Sequence, residues 1–546
     1  MTNVADIIAR RLFEAGCRHA FGIPGGEVLT LMRALEEAGV DFHLCKHENA
    51  GGFMAEGTHH ADRAPAVLLA TVGPGVVNAV NTVANAWQDQ VPMIFVTGCV
   101  DAHEAVTYTH QVFDHTAVLA PVTKATLTVT AEACDATIDK AVAIAMDDPP
   151  GPVHIDVPIG VAKAAVVDNT RTRRARPSPV APAPGPDLEA ARVALAKAER
   201  PLMLAGVDIL HHDAADAVAD FCRRFNVPLM TSYKAKGVLP EDDLLALGGH
   251  GLSPKSFGIL KPLIDQADLI LLAGYDPIEM RVDWRNAWTP GDGNGDSNGA
   301  GGPAVIEFAS HTNTHYVHHA SLNFVCHVGA GLRALGDDVE AGATWPGGEP
   351  AATRAALRDA FPRDEDWGPA AVIDTVRSVF PRDGVVGVDT GAHRILISQQ
   401  WECYEPRTML QSTGLCTMGV ALPIAIGHAI AEPRRPVLAF TGDAGLEMVL
   451  GELATARDLQ TPVIVVVFVD EQLALIDLKQ RRDGHDNLGV NFGGTDFAGV
   501  AEAMGGTGVV ATDRGQVADA MTSALGREGF TVIACPIGQE SYDGRF

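Results

Sequence analysis

Short apolar runs alternate along this chain with stretches in which apolar positions recur at helical spacing. The runs lie at 66–72, 93–97, 153–157, 202–207, 269–273, 305–308, 385–388, 437–441, 463–468 and 531–535. Each is short and continuous enough to be a strand buried on both faces. Such strands separated by helical patterns predict parallel sheets in an α/β fold. Two composition breaks divide the alternation. Residues 171–186 (RTRRARPSPVAPAPGP) are proline-rich and basic, and 331–366 is rich in Gly, Pro, Ala and charge around Trp345-Pro346-Gly347-Gly348. Both read as linkers. Three doubly wound parallel-sheet domains are therefore expected, at 1–168, 189–335 and 367–546, with linkers at 169–188 and 336–366. Within the middle domain, 290–303 is glycine-rich with few apolar residues and predicts a mobile surface insertion.

Composition narrows the class. A chain of 546 residues, 47% hydrophobic and 20% charged, is globular and large enough for several cores. No apolar stretch reaches the length of a membrane span, and Met1 to Arg10 lacks the basic start and apolar centre of a signal peptide. A cytoplasmic protein is expected. The net charge of -27 argues against nucleic acid as a partner. The nine cysteines contain no CxxC pair and lie mostly in apolar surroundings, so they read as small buried hydrophobes.

One segment carries specific chemistry. The apolar run at 436–441 meets the turn Gly442-Asp443-Ala444-Gly445, then a helical pattern over 446–459, then a strand-like run over 461–469. That order is one βαβ unit. Glycines at such a turn let backbone N–H groups approach an anionic oxygen, whereas a carboxylate there repels phosphate unless a divalent cation lies between them. Asp443 thus points to Mg²⁺, with Asp470 and the carbonyl of Gln472, at the end of the neighbouring strand, able to complete an oxygen shell. An ordinary helix cap is the alternative for the turn taken alone.

Gly442-Asp443 followed by Asp470 resembles the signature of thiamine-diphosphate-dependent enzymes, and the resemblance extends over nearly the whole chain, most closely to acetolactate synthases of the catabolic type. It implies an N-terminal pyrimidine-binding domain, a central domain and a C-terminal diphosphate-binding domain. His47-Glu48, leading into the Phe53-Met54-Ala55-Glu56-Gly57 helix, is similar to the segment in which these enzymes carry their acid. Glu48 would share a proton with the cofactor's aminopyrimidine; by its position alone a helix-dipole residue is the commoner reading. Pro24, Gly25 and Gly26 would bring backbone to the cofactor ring, and the Thr71–Asn78 turn, with Gly73 and Asn78, belongs to the same domain. The stretch Thr109-His110-Gln111 resembles the loop that presents a substrate-facing glutamine, making Gln111 the first choice and His110 the second; a solvated polar loop is the alternative.

In the C-terminal half, Gly391, Ala392 and His393 resemble the first diphosphate-binding turn, though His393 could be a structural core histidine. Cys416 would offer its carbonyl to the aminopyrimidine, and Met418 would wedge between the two cofactor rings, a core methionine being its alternative. Gly442, Asp443, Ala444, Gly445, Gln472 and Leu473 would surround the diphosphate, and Asp443, Asp470 and Gln472 would hold Mg²⁺. Two departures stand out. The second metal ligand is usually an asparagine, not an acid like Asp470, and Lys479 stands where biosynthetic acetolactate synthases carry an acceptor-pocket tryptophan. The segment Gly274-Tyr275-Asp276-Pro277-Ile278-Glu279 resembles flavin-independent relatives, so FAD is not expected. The resemblance implies decarboxylation of a small 2-oxo acid with carboligation, as in making 2-acetolactate from two pyruvates. A 2-oxo acid decarboxylase, a sulfoacetaldehyde acetyltransferase, a lyase or a silent paralogue are the alternatives, and a nicotinamide oxidoreductase is disfavoured by the lack of a GxGxxG turn. A homodimer or homotetramer with active sites between subunits is implied.

Overall fold

A computed structural model describes residues 2–167, 177–288 and 302–546. The basic stretch 171–176 of the first expected linker, and all but the last two residues of the expected insertion at 290–303, lie outside the described residues. Among the described residues, three six-stranded sheets, parallel throughout, form the framework.

The N-terminal sheet contains β1 (His19–Ile23), β2 (Asp41–Leu44), β3 (Ala66–Ala70), β4 (Met93–Cys99), β5 (Ala125–Thr128) and β6 (Pro152–Pro158), in the order β2-β1-β3-β4-β6-β5. The central sheet contains β7 (Pro201–Ala205), β8 (Leu229–Thr231), β9 (Ala246–Gly249), β10 (Leu269–Ala273), β11 (Ala304–Ala309) and β12 (Leu322–Val325), in the order β12-β11-β10-β7-β8-β9. The C-terminal sheet contains β13 (Val385–Val388), β14 (Met409–Gln411), β15 (Val437–Gly442), β16 (Val463–Val469), β17 (Thr507–Val510) and β18 (Thr531–Pro536), in the order β14-β13-β15-β16-β18-β17. The outer two sheets thus share one strand order, and the central one has the dinucleotide-fold order 3-2-1-4-5-6.

All ten apolar runs are strands. The strands that hydropathy did not mark are the six sheet edges (β2, β5, β9, β12, β14, β17) together with β1 and β8, the neighbours of β2 and β9. Central parallel strands are covered by helices on both faces and read as unbroken apolar runs, whereas β12 (LNFV) and β17 (TGVV) are partly open to solvent or very short. In β1 the run is interrupted by Gly22, where a Cβ would overlap the Leu69 carbonyl of β3.

Two other expectations are corrected. The helix expected over 446–459 is broken into Asp443–Glu447 and Glu452–Asp458. The break sits at Gly451, against which the N-terminal Lys46 packs, and Lys46 N–H donates to the Glu452 carboxylate at 3.1 Å. The segment read as the second linker holds the helix Glu349–Ala360, which packs on Pro254–Gln266, while Trp345 is buried with its Nε1–H donating to the Pro201 carbonyl at 2.7 Å.

The outer domains share one core. Helix Glu48–Asp62 lies along helix Ala421–Ala431 with Gly57 against the Ile424 carbonyl and Gly427 against the Met54 carbonyl. Only a residue lacking a Cβ permits that approach at either point. Seven of the nine cysteines are buried, as expected of small core residues, whereas Cys99 is half-buried and Cys416 is exposed. Among the described residues, no helix is long and apolar enough to cross a membrane.

Candidate functional site

In the C-terminal sheet the chain winds in opposite directions from β13 and β15, which makes their carboxyl ends the topological switch point. The turns carrying Gly391–His393 and Gly442–Gly445 both issue there. Asp389, buried at the end of β13, joins the segments around it. Its carboxylate accepts N–H bonds from Thr390 (2.8 Å), Gly419 (2.8 Å) and Val420 (3.3 Å), and the Thr441 hydroxyl donates to it at 2.9 Å. Burial raises its pKa, and those donors oppose the rise. Gly445 must be glycine, since a Cβ there would overlap Asp389 Oδ2.

Asp443 opens its helix with a buried carboxylate. Oδ1 accepts from Ala444 N–H at 2.8 Å, and Oδ2 accepts from Asp470 N–H at 3.0 Å and Glu471 N–H at 2.7 Å. The ends of β15 and β16 are therefore tied through this one side chain. Asp470 is buried too, and burial with the nearby Asp443 charge pushes it up to about 7. Its Oδ1 accepts from Gln472 N–H at 3.3 Å. Two buried carboxylates side by side need either a proton or a cation.

Around them lie polar atoms without partners among the described residues. Buried Thr390 Oγ1, His393 Nε2, Gln472 Nε2 and Tyr542 Oη have no hydrogen-bond partner there. His393 is held with its ring stacked on Phe468 at 5.6 Å between centroids, and burial lowers its pKa to about 4, so the ring is neutral. Burial and the charges of Asp470 and Asp443 raise the Tyr542 phenol pKa far above normal. Sequence reasoning missed Asp389, Thr390 and Tyr542. Asp389 was legible as part of the turn, but nothing local marks its partners, and Tyr542 reaches the site only through the fold of the last residues.

Ser412 to Gly419 is held largely by the N-terminal domain. Ser412 Oγ donates to Asn85 Oδ1 at 2.6 Å, Asp89 accepts N–H bonds from Thr413 and Gly414, and Thr417 Oγ1 donates to Asn81 Oδ1 at 3.3 Å. Met418 is half-buried. Cys416 has a left-handed backbone (φ +54°), and its sulfur receives Nη1–H of the buried Arg394 at 3.1 Å. Leu473 caps the next helix with its N–H on the Val490 carbonyl at 2.8 Å.

A second group forms at the carboxyl edge of the N-terminal sheet. Glu48 is buried in the first turn of its helix, and Asn78 Nδ2 donates to its Oε2 at 3.0 Å. Gly75 packs against the other oxygen, Oε1. Pro24–Gly26 lies beside Thr71, and a Cβ on Gly73 (φ +74°) would meet Gln111 Cβ at 2.8 Å. Gln111 itself is exposed with φ +60°, and His110 beside the Tyr108 ring is also exposed. A polar path, Asn49–Asn81–Thr417, leads from the Glu48 helix to the residue before Met418. No hydrogen bond or ion pair among the described residues joins Glu48 to the Asp443–Asp470 cluster. Lys479 is exposed.

The fold defines a protein of three α/β domains whose outer pair repeats one strand order and presents polar groups at the carboxyl edges of both sheets. Comparison with known proteins agrees domain by domain. Residues 2–118 match the thiamine pyrophosphate enzyme N-terminal TPP binding domain, 188–335 the central domain, and 389–535 the C-terminal TPP binding domain. The chain belongs to the thiamine pyrophosphate enzymes. It is 27% identical to the acetolactate synthase of Bacillus subtilis, covering 98% of this chain and 93% of that protein. It is 28% identical to the acetolactate synthase isozyme 1 large subunit of Escherichia coli, over 87% of this chain and 83% of that one. It is also 27% identical to the probable 2-ketoarginine decarboxylase AruI of Pseudomonas aeruginosa, over 97% and 93%.

Proposed function

We propose that this protein is an acetolactate synthase-like enzyme that uses thiamine diphosphate and Mg²⁺ to decarboxylate a small 2-oxo acid and join the remainder to a second carbonyl compound. The observation that carries the reading is the pair Asp443 and Asp470 ringed by buried polar atoms with no partner among the described residues. Oxygen ligands suit Mg²⁺, and His393 Nε2, Thr390 Oγ1 and Gln472 Nε2 suit phosphate oxygens. When bound, the cofactor supplies a nucleophilic carbon and an electron sink for loss of CO₂.

The chain's own groups take complementary roles in this reading. Asp443, Asp470 and Gln472 hold the metal. The Gly391–His393 and Gly442–Gly445 turns bring main chain to the diphosphate. Glu48 keeps one oxygen, Oε2, occupied by Asn78 and offers Oε1 to hold a proton against the cofactor's aminopyrimidine. Met418 and Cys416 shape the space beside it, and Pro24–Gly26 closes the ring side. Gln111, on a loop backed by Gly73, donates its amide N–H groups to the substrate, with His110 beside it.

Supporting an assembly with shared sites, Glu48 is not joined to the Asp443 cluster within the chain, and apolar side chains beside both groups are exposed: Leu44 at 49%, Val77 at 52% and Met448 at 64%. A homodimer or homotetramer covers them. No flavin is part of this reading. That rests on the segment Gly274–Glu279, which resembles flavin-independent relatives.

A second reading, simple decarboxylation of a larger 2-oxo acid, is favoured by the similarity to the probable 2-ketoarginine decarboxylase. Reconstitution with thiamine diphosphate and Mg²⁺, followed by product analysis over a panel of 2-oxo acids, tests both. Acetolactate from pyruvate supports the first reading. An aldehyde as the sole product from every acid supports the second, and full activity in Glu48→Gln refutes the assigned mechanism.

A further inference from the structure

In the N-terminal domain, separate from the Asp443 cluster, three side chains on two elements face one another. His154 and Asp156 are alternate residues of β6, and His115 opens helix His115–Leu119. Their ligand atoms all lie within 4.8 Å of one another. His115 Nδ1 is 2.8 Å from Asp156 Oδ1, and His154 Nε2 is 3.6 Å from the same oxygen. The side chains of His115 and His154 are 3% and 0% exposed, and that of Asp156 is 12% exposed. Among the described residues, this is the group of histidines and acids close enough to share an ion.

We propose that His115, His154 and Asp156 form a site for a transition-metal ion of the Zn²⁺ class, distinct from the cofactor's Mg²⁺. Two imidazoles and one carboxylate are a borderline donor set that selects Zn²⁺, Co²⁺ or Ni²⁺ over hard, oxygen-seeking Mg²⁺. Bonds of about 2.0–2.2 Å require ligand atoms roughly 3.3 Å apart, which small rotations of these side chains reach. The Cys99 thiol interacts with Asp156 from the neighbouring strand β4. Thr97 Oγ1, 2.6 Å from Asp156 Oδ1 and 2.8 Å from His154 Nε2, satisfies these groups when no ion is bound. It also orients the carboxylate as an outer partner once the ion enters.

The site has a consequence for the loop before it. His115 directly follows the exposed loop that carries His110 and Gln111, and Asp114 caps the His115 helix by accepting Ala117 N–H at 3.0 Å. An ion on His115 fixes the end of that loop to β6. A role in substrate placement rests on the function proposed above, whereas metal binding itself does not.

The test uses the full-length, tag-free chain without thiamine diphosphate, stripped with a chelator and dialysed against Zn²⁺ in the presence of millimolar Mg²⁺. One equivalent of tightly held zinc by elemental analysis, and visible d–d absorption of a nitrogen-ligated ion after Co²⁺ substitution, are expected. His115→Ala and His154→Gln lose at least tenfold in affinity, while Asp443→Ala keeps the equivalent. Proteolysis within 101–114 slows at least threefold with zinc. No stoichiometric uptake by the unmodified chain overturns the proposal without recourse to any variant. Retention in a folded His115→Ala protein overturns it equally, and unchanged loop cleavage overturns the loop-fixing role. Because no cofactor or substrate is present, these failures are separate from failure of the enzymatic reading.

Discussion

The Asp389 carboxylate accepts the main-chain N–H of Gly419 through both of its oxygens, at 2.8 and 3.0 Å, and so fixes the segment after Met418 to the end of β13. The same carboxylate receives Val420 N–H and the Thr441 hydroxyl. Removing it strands buried donors from two segments at once. Each hydrogen bond to a charged group is worth about 1.5–3 kcal/mol, and an unsatisfied buried donor costs about 1–3 kcal/mol. Asp389→Ala should therefore lower the thermal midpoint of the C-terminal domain by roughly 6–12 °C. Asp389→Asn, which keeps one acceptor oxygen, should lose less. Scanning calorimetry reads both, and an unchanged Asp389→Ala midpoint contradicts the tie.

The contact of Gly427 with the Met54 carbonyl makes a second prediction. A methyl group there overlaps backbone, not a movable side chain, so the helices Glu48–Asp62 and Ala421–Ala431 must separate. Gly427→Ala should weaken the seam between the outer domains by about 2–4 kcal/mol. The expected sign is faster limited proteolysis between domains with little change in helix content. Ala425→Gly, a change on the same helix at a buried residue with its own Cβ, serves as a comparison for intrinsic helix cost.

The legible parts of this molecule were those written in local pattern. The central strands are evident because both faces are buried, and the runs of β13, β15 and β16 by themselves place Gly391–His393, Asp443 and Asp470 at strand ends. Edge strands such as β12 were silent, because a half-exposed four-residue stretch has no distinctive run. The break at Gly451 was equally hidden. There the chain meets Lys46, some 400 residues away in sequence. Tyr542 and the several attachments of Asp389 also depend on long-range packing. Nothing in the periodicity of the chain records what a side chain meets across a domain boundary.

Glu56 supplies a pH signature. Its carboxyl is fully buried, and burial with the Asp89 charge raises its pKa to about 8, against smaller opposing effects of Lys234 and the Asn85 hydrogen bond. The folded form thus holds the proton more tightly than the unfolded chain. Its contribution to stability is fully present below the unfolded value near 4.5 and is lost as pH rises toward 8. Glu56→Gln retains an oxygen acceptor for Asn85 and has no proton to lose. The variant should show a thermal midpoint that falls less between pH 5 and pH 8.5, by about 5 °C relative to the parent. Parallel midpoint curves for the two proteins would rule out this assignment.

The acidic residue at position 470 yields the last prediction. Asp443 and Asp470 are both buried, and burial together with the charge of the first raises the pKa of the second. In the proposed enzyme, two carboxylates on one Mg²⁺ leave less positive charge to meet a diphosphate than one carboxylate and one amide do. Asp470→Asn keeps an oxygen ligand of the same length, together with an acceptor for Gln472 N–H. It also removes the repulsion of Asp443. Thiamine diphosphate affinity at fixed Mg²⁺ should rise about tenfold, which corresponds to roughly 1.4 kcal/mol. The Mg²⁺ concentration needed for half-saturation should move little, because the lost charge on the protein is offset by the diphosphate oxygens that share the ion. Titration calorimetry separates the two effects. A tenfold loss of cofactor affinity in the asparagine variant would mean that the second carboxylate is required for the metal, and that this chain binds its cofactor through a charge arrangement of its own.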